Sequence, residues 1–140
     1  MKTVNYYFEG VGGKINQILP KKSWILNCVK KENKSILKID FIFCSDMYLK
    51  ELNEKHLAHN TLTDVITLDY STNEYLLGDV FISIERVKEN AQIYKMTLEN
   101  EISRVMIHGV LHLIGYKDRS NEQKKIMRKK ENKYLEQKNI

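Results

Sequence analysis

The residues whose type and spacing point most directly to chemistry are the two histidines of the run His108-Gly-Val-Leu-His112-Leu-Ile-Gly115-Tyr-Lys-Asp118. On an α-helix four residues subtend about 400°, so the two imidazoles project from one face, one turn apart, and can converge on a metal. Gly115 has the identity and position to end that helix in the left-handed conformation, and the turn beyond it can bring Asp118 back to the same point. Two neutral imidazoles and a carboxylate are competent zinc ligands. Three protein ligands leave one position of a tetrahedral ion for water, which marks a catalytic site and not a closed structural one. The expectation is one Zn2+ per chain, held by His108, His112 and Asp118. An H-x3-H pair on an apolar helix is more often packing. Here two of the four histidines sit in an otherwise apolar stretch, followed at the required distance by a helix-ending Gly and a carboxylate, and that combination favours the metal.

The spacing H-x3-H-x2-G-x2-ligand is that of the metzincin metalloproteases. Gly109, however, occupies the place where their general-base Glu follows the first His. Without that carboxylate the peptidase mechanism lacks its proton acceptor, so hydrolysis of a peptide or small amide is a secondary alternative.

The elements that must position these residues follow from periodicity. Apolar residues at Ile102, Val105, Met106, Val110 and Leu113 stripe one flank of a helix starting at Thr97 and running to Gly115. Ser120 with Gln123 forms a capping box for a last, strongly basic helix. Strands are expected at Val4–Glu9, Ile36–Cys44, Asp64–Tyr70 and Tyr75–Ile82. Further helices are expected after Pro20, from Ser45 to about Lys55, and from Ser83 to about Lys95, with His56 to Thr61 a polar loop. The fold class is therefore α/β, with α+β character: a four-stranded mixed sheet covered by about five helices, one of them a zincin-like metal helix.

At 140 residues, with 42% hydrophobic and 29% charged residues, the chain suits one globular domain, 1–140, and excludes disordered and fibrous classes. Cys28 and Cys44, with no CxxC spacing, read as buried small hydrophobes in a reducing compartment. The first ten residues lack the apolar core of a signal peptide, and no apolar run is long enough for a membrane span, so a cytoplasmic location is expected. Charge is uneven: residues 1–44 carry net +5, residues 45–116 net −5 and residues 117–140 net +5. Basic ends around an acidic middle suit a polyanion held beside a cation centre.

The block His108–Tyr116 (HGVLHLIGY), with Leu52-Asn53, Thr63-Asp64-Val65 and Leu77-Gly78-Asp79 upstream, resembles the YbeY family of bacterial ribosomal RNA maturation endoribonucleases. The resemblance implies a zinc-binding α/β fold and single-strand-specific RNA cleavage. It also implies maturation of the 3′ end of small-subunit rRNA and ribosome quality control, with single-stranded RNA and the ribosome as partners. Two positions depart from the family. Asp118 stands where most members carry a third His, and Leu57 where many place an Arg thought to contact the RNA phosphate. Lys55, His56 or His59 offers charge nearby. The catalytic set is taken as His108, His112, Asp64 and His59, with Asp64 or His59 as proton acceptor, unless the RNA 2′-hydroxyl itself attacks. Asp64 and Asp79 are also candidates to orient a ligating histidine. A ribosome-associated assembly factor with a structural metal and weak nuclease activity is the remaining alternative.

Overall fold

A computed structural model describes residues 2–57 and 63–138. Four strands, β1 (Thr3–Phe8), β2 (Ile36–Cys44), β3 (Val65–Asp69) and β4 (Leu76–Ser83), form one sheet in the order β1-β2-β4-β3. β1–β2 and β2–β4 are parallel and β3–β4 is antiparallel, so the sheet is mixed, as expected. Five α-helices accompany it: α1 (Lys22–Lys31), α2 (Asp46–Leu57), α3 (Ile84–Ile93), α4 (Leu98–Ile114) and α5 (Asn121–Glu136). The Gly12-Gly13 pair leads into a 3-10 turn, Gly13–Ile18, which periodicity did not reveal, and α2 runs through Leu57, past the expected start of the loop. No helix among the described residues is long and apolar enough to cross a membrane.

Strand alternation decides which face each residue serves. Val4, Tyr6 and Phe8 of β1 pair in register with Ile39, Phe41 and Phe43 of β2, and these with Gly78, Val80 and Ile82 of β4. This face carries the main core, shared with α1, α3, α4 and α5. The opposite face holds Asn5, Lys38, Asp40 and Asp79, and a smaller cluster of Cys44, Leu49 and Ile66 beneath α2. Both cysteines are buried and free.

α4 is seated on β4 through two glycines. A Cβ on Gly109 would lie 2.7 Å from Val80 Cγ1, and one on Gly78 would lie 2.6 Å from Leu113 Cδ2 and 2.8 Å from the Leu68 carbonyl oxygen. Gly78 pairs regularly with its neighbours, so its role is close approach and not a bulge. At its N-terminus α4 is capped by Thr97, whose hydroxyl accepts from the Asn100 amide at 3.1 Å. At its C-terminus Gly115, with φ +124°, gives a Schellman closure: Gly115 N–H to the His112 carbonyl at 3.0 Å and Tyr116 N–H to the Leu111 carbonyl at 3.0 Å. The Ser120–Gln123 capping box then starts α5, which runs back along α4.

α5 is anchored from α1. Trp24 Nε1 donates to the Tyr134 carbonyl at 2.9 Å. Glu32, just beyond α1, accepts from Tyr116 Oη at 2.5 Å, from Lys130 Nζ at 2.9 Å and from Tyr134 Oη. Burial works against its charge, but these three donors outweigh it and hold the Glu32 pKa below the usual value of 4.5.

Two stability predictions follow from this packing. Gly109→Ala gains helix propensity but pushes against the stiff, buried Val80, and a loss of about 1–3 kcal/mol in urea unfolding is expected. Because the folded-state pKa of Glu32 is depressed, its contribution is present above the unfolded value and is lost as pH falls through the folded one. Glu32→Gln should therefore be less stable than wild type near neutrality, and its stability should fall less steeply than wild type below about pH 4.5 in a pH series of urea melts.

Candidate metal centre

His108 and His112 lie in the last two turns of α4, and Asp118 follows the Gly115 closure. The turn does what its glycine allows: His108 Nε2 and His112 Nε2 are 3.0 Å apart, and each is 3.3 Å from Asp118 Oδ2. A tetrahedral ion with bonds of about 2.0–2.1 Å has ligand–ligand edges of about 3.3 Å. The three atoms therefore already stand at the corners of such a polyhedron.

Protonation makes the fit more specific. His108 Nδ1 lies 2.7 Å from Glu131 Oε2, and His112 Nδ1 lies 3.0 Å from the Tyr116 carbonyl oxygen. Both partners accept, so each neutral ring places its N–H on Nδ1 and leaves a lone pair on Nε2. Two imidazole lone pairs and a carboxylate thus face one point, a donor set that suits a cation and is repulsive without one. Burial disfavours an imidazolium at His108, but the hydrogen bond and charge of Glu131, with Asp118 and Asp64 beyond, carry its pKa above the ordinary histidine value. The surroundings favour positive charge at this point.

Glu131 is the partner that sequence reasoning missed. It projects from α5, is only 3% exposed, and has its second oxygen 3.5 Å from Arg104 Nη1. Arg104 in turn pairs with buried Glu101, whose pKa burial raises despite that guanidinium. One carboxylate thus orients His108, and an arginine fixes the carboxylate. Its sequence signal is faint: an acid inside the basic run Arg128-Lys-Lys-Glu131, 23 positions from the histidine it serves.

The two aspartates considered for that orienting role take other places. With both Nδ1 atoms engaged elsewhere, Asp64 is not a ligand-orienting residue. It borders the centre, lining with His108 and Asp118 two adjoining cavities of about 390 and 530 Å³. Asp79 alternates with Gly78 and Val80, the residues that meet α4, and so points from the opposite face of the sheet. There burial and the charge of Asp40 raise its pKa, partly offset by Lys38. Asn53 of α2 is buried and lines the larger cavity with Thr63 and β3. His59 lies outside the described residues, as do the side chains of His56 and Leu57.

Comparison with known proteins bears on this geometry. Residues 14–139 match the family model described as endoribonuclease YbeY. The chain belongs to the YbeY family. Among curated YbeY relatives, the endoribonuclease YbeY of Flavobacterium psychrophilum is 51% identical over 113 residues, covering 81% of each chain. That of Karelsulcia muelleri is 49% identical over 132 residues, covering 94% of this chain and 93% of its own. The fold is similar to the solution structure of TM1509 from Thermotoga maritima, with a TM-score of 0.68 and 31% identity over 96% of this chain and 87% of that one. The YbeY relatives are metal-dependent hydrolases acting on RNA, and the group His108, His112 and Asp118 could hold a metal ion in this one.

If Glu131 sets the His108 tautomer, Glu131→Ala should fold and yet bind Zn2+ about 10–100-fold more weakly, as measured by competition with a chromophoric chelator. Unchanged affinity would remove Glu131 from the centre.

Proposed function

We propose that this protein is a zinc-dependent, single-strand-specific endoribonuclease that matures the 3′ end of small-subunit rRNA and serves ribosome quality control in the cytoplasm. The observation that carries the reading is the convergence of His108 Nε2, His112 Nε2 and Asp118 Oδ2 within 3.3 Å of one another, with a hydrogen-bond acceptor at the far nitrogen of each imidazole. Family membership supplies the substrate class: the curated relatives are endoribonucleases by name.

When bound, zinc polarises a phosphoryl oxygen and lowers the pKa of a coordinated water. The chain's own residues do the rest. Glu131 and the Tyr116 carbonyl keep the two rings aimed at one point through every step. Gly109 offers no base and Glu101 of the same helix is taken up by Arg104, so the proton acceptor comes from another element. Asp64, at the junction of the two cavities, takes the proton from the attacking oxygen, with His59 the second candidate for that role. Basic segments at either end of the chain hold the RNA backbone by charge. The ribosome is the partner through which such an enzyme meets its substrate.

Elemental mass spectrometry of purified protein should find about one zinc per chain, and Asp118→Ala, folded by circular dichroism, should lose it. On an end-labelled single-stranded RNA, Asp64→Asn should keep the metal and lose about 10²–10⁴-fold in kcat. A folded wild type that takes up no metal when zinc is supplied under reducing conditions, or an Asp118→Ala variant that cleaves at the wild-type rate, would overturn the proposal.

A further inference from the structure

A strand whose scissile phosphate sits at His108 and Asp118 must place its neighbouring nucleotides in the two cavities that flank them. The walls of these cavities differ in chemistry. The cavity along β3 is lined by Asn53, hydroxyl, carboxylate and apolar residues, with no lysine or arginine among the described residues. The cavity of about 390 Å³ between α3, α4 and α5 has Lys124 and Arg128 at its α5 side and Asn90 and Tyr94 at its α3 side. Its volume lies within the range of pockets that bury a small ligand, roughly 300–1,000 Å³.

The cations on this wall are available. Arg104, deeper in the cavity, is occupied by Glu101 and Glu131. Arg128 approaches Glu131 only to 3.9 Å and its side chain is 59% exposed. Lys124 has no ion-pair partner among the described residues and is exposed. The two are one helical turn apart and so stand on one stripe of α5. Opposite them Tyr94 is 62% exposed, while its backbone is fixed by a 2.9 Å hydrogen bond from its N–H to the Asn90 carbonyl. An exposed aromatic ring on a fixed backbone, lining one cleft with an unpaired lysine and an exposed, loosely paired arginine, is a combination that binds an unpaired nucleotide: the cations take phosphates and the ring takes a base.

We propose that this cleft is a nucleotide subsite adjoining the metal centre, in which Lys124 and Arg128 hold phosphates of single-stranded RNA and Tyr94 stacks a base. The inference rests on the endoribonuclease reading above and adds where the strand lies. It gives a local source for the charge that Leu57 cannot supply. It also gives a reason for strand selectivity, since a duplex has no unstacked base to offer Tyr94.

The test is fluorescence anisotropy with a fluorescein-labelled 12-nucleotide single-stranded RNA, on full-length protein with metal removed by chelation, across a salt series. Each phosphate contact on a single strand contributes about 0.7 to the slope of log K against log salt, so Lys124→Gln/Arg128→Gln should make that slope shallower by about 1.4. Lys125→Gln/Lys129→Gln removes the same charge from the adjacent, outward stripe of α5, which attracts the strand only diffusely, and should make the slope shallower by less than half as much. Tyr94→Leu should weaken binding about 5–100-fold with no change of slope. Equal effects of the two charge pairs would overturn the subsite in favour of diffuse attraction, as would an unaltered affinity in Tyr94→Leu. If wild-type protein cleaves RNA while all three variants bind and cleave as it does, the subsite fails and the nuclease reading stands. If the binding pattern appears as expected and metal-loaded protein leaves RNA intact, the nuclease reading fails and the subsite stands.

Discussion

Three electron-pair donors held within 3.3 Å of one another repel unless a cation lies among them, and much of this structure serves to keep them there. A histidine has two nitrogens and, when neutral, one proton, so a ring offers a lone pair at Nε2 only if something claims the hydrogen at Nδ1. For His112 that claimant is the carbonyl of Tyr116, whose hydroxyl is tied to Glu32 beyond α1. For His108 it is Glu131, held by Arg104, which is held by Glu101. Two hydrogen-bond chains thus run outward from the metal point, one through α4 and α5 and one to the end of α1. The main core locks the helices that carry them.

Burying the charges of Glu131, Glu101 and Arg104 carries a desolvation cost that packing alone would not justify. Their return is orientation: each has a partner, and the network ends at a ligand. The same trade is visible at Gly109. In the metzincin pattern the residue after the first histidine provides the base, whereas here it has no side chain and lets α4 rest on Val80. Close seating of the ligand helix on the sheet and a base at that position are mutually exclusive. Position 109 therefore cannot supply a base here.

Most of the architecture was legible in the sequence because it rests on local rules. Thr97, Ser83 and the Ser120–Gln123 pair mark helix starts, and Gly115 marks the end on which the position of Asp118 depends. The alternation of Ile39, Phe41 and Phe43 with Lys38 and Asp40 assigns the faces of β2 correctly. What remained hidden depends on tertiary contact. Glu131 looks like one more charge on a solvated helix until α5 folds back on α4. Asp79 follows a glycine in a strand, yet its alternation with Gly78, Val80 and Ile82 sets it on the far face. That Asp118 returns to the two histidines was legible because only a short, glycine-directed turn separates it from His112.

The orienting groups come from both ends of the numbering, and ribosomal synthesis makes a chain from its N-terminus at about 5–20 residues per second. His108, His112 and Asp118 leave the ribosome before Glu131 does, and Trp24 waits throughout for Tyr134. A nascent chain therefore carries its ligands for an interval without the carboxylate that aims the first of them. The hydrogen-bond network around the histidines is therefore complete only once α5 has been made and packed on α4.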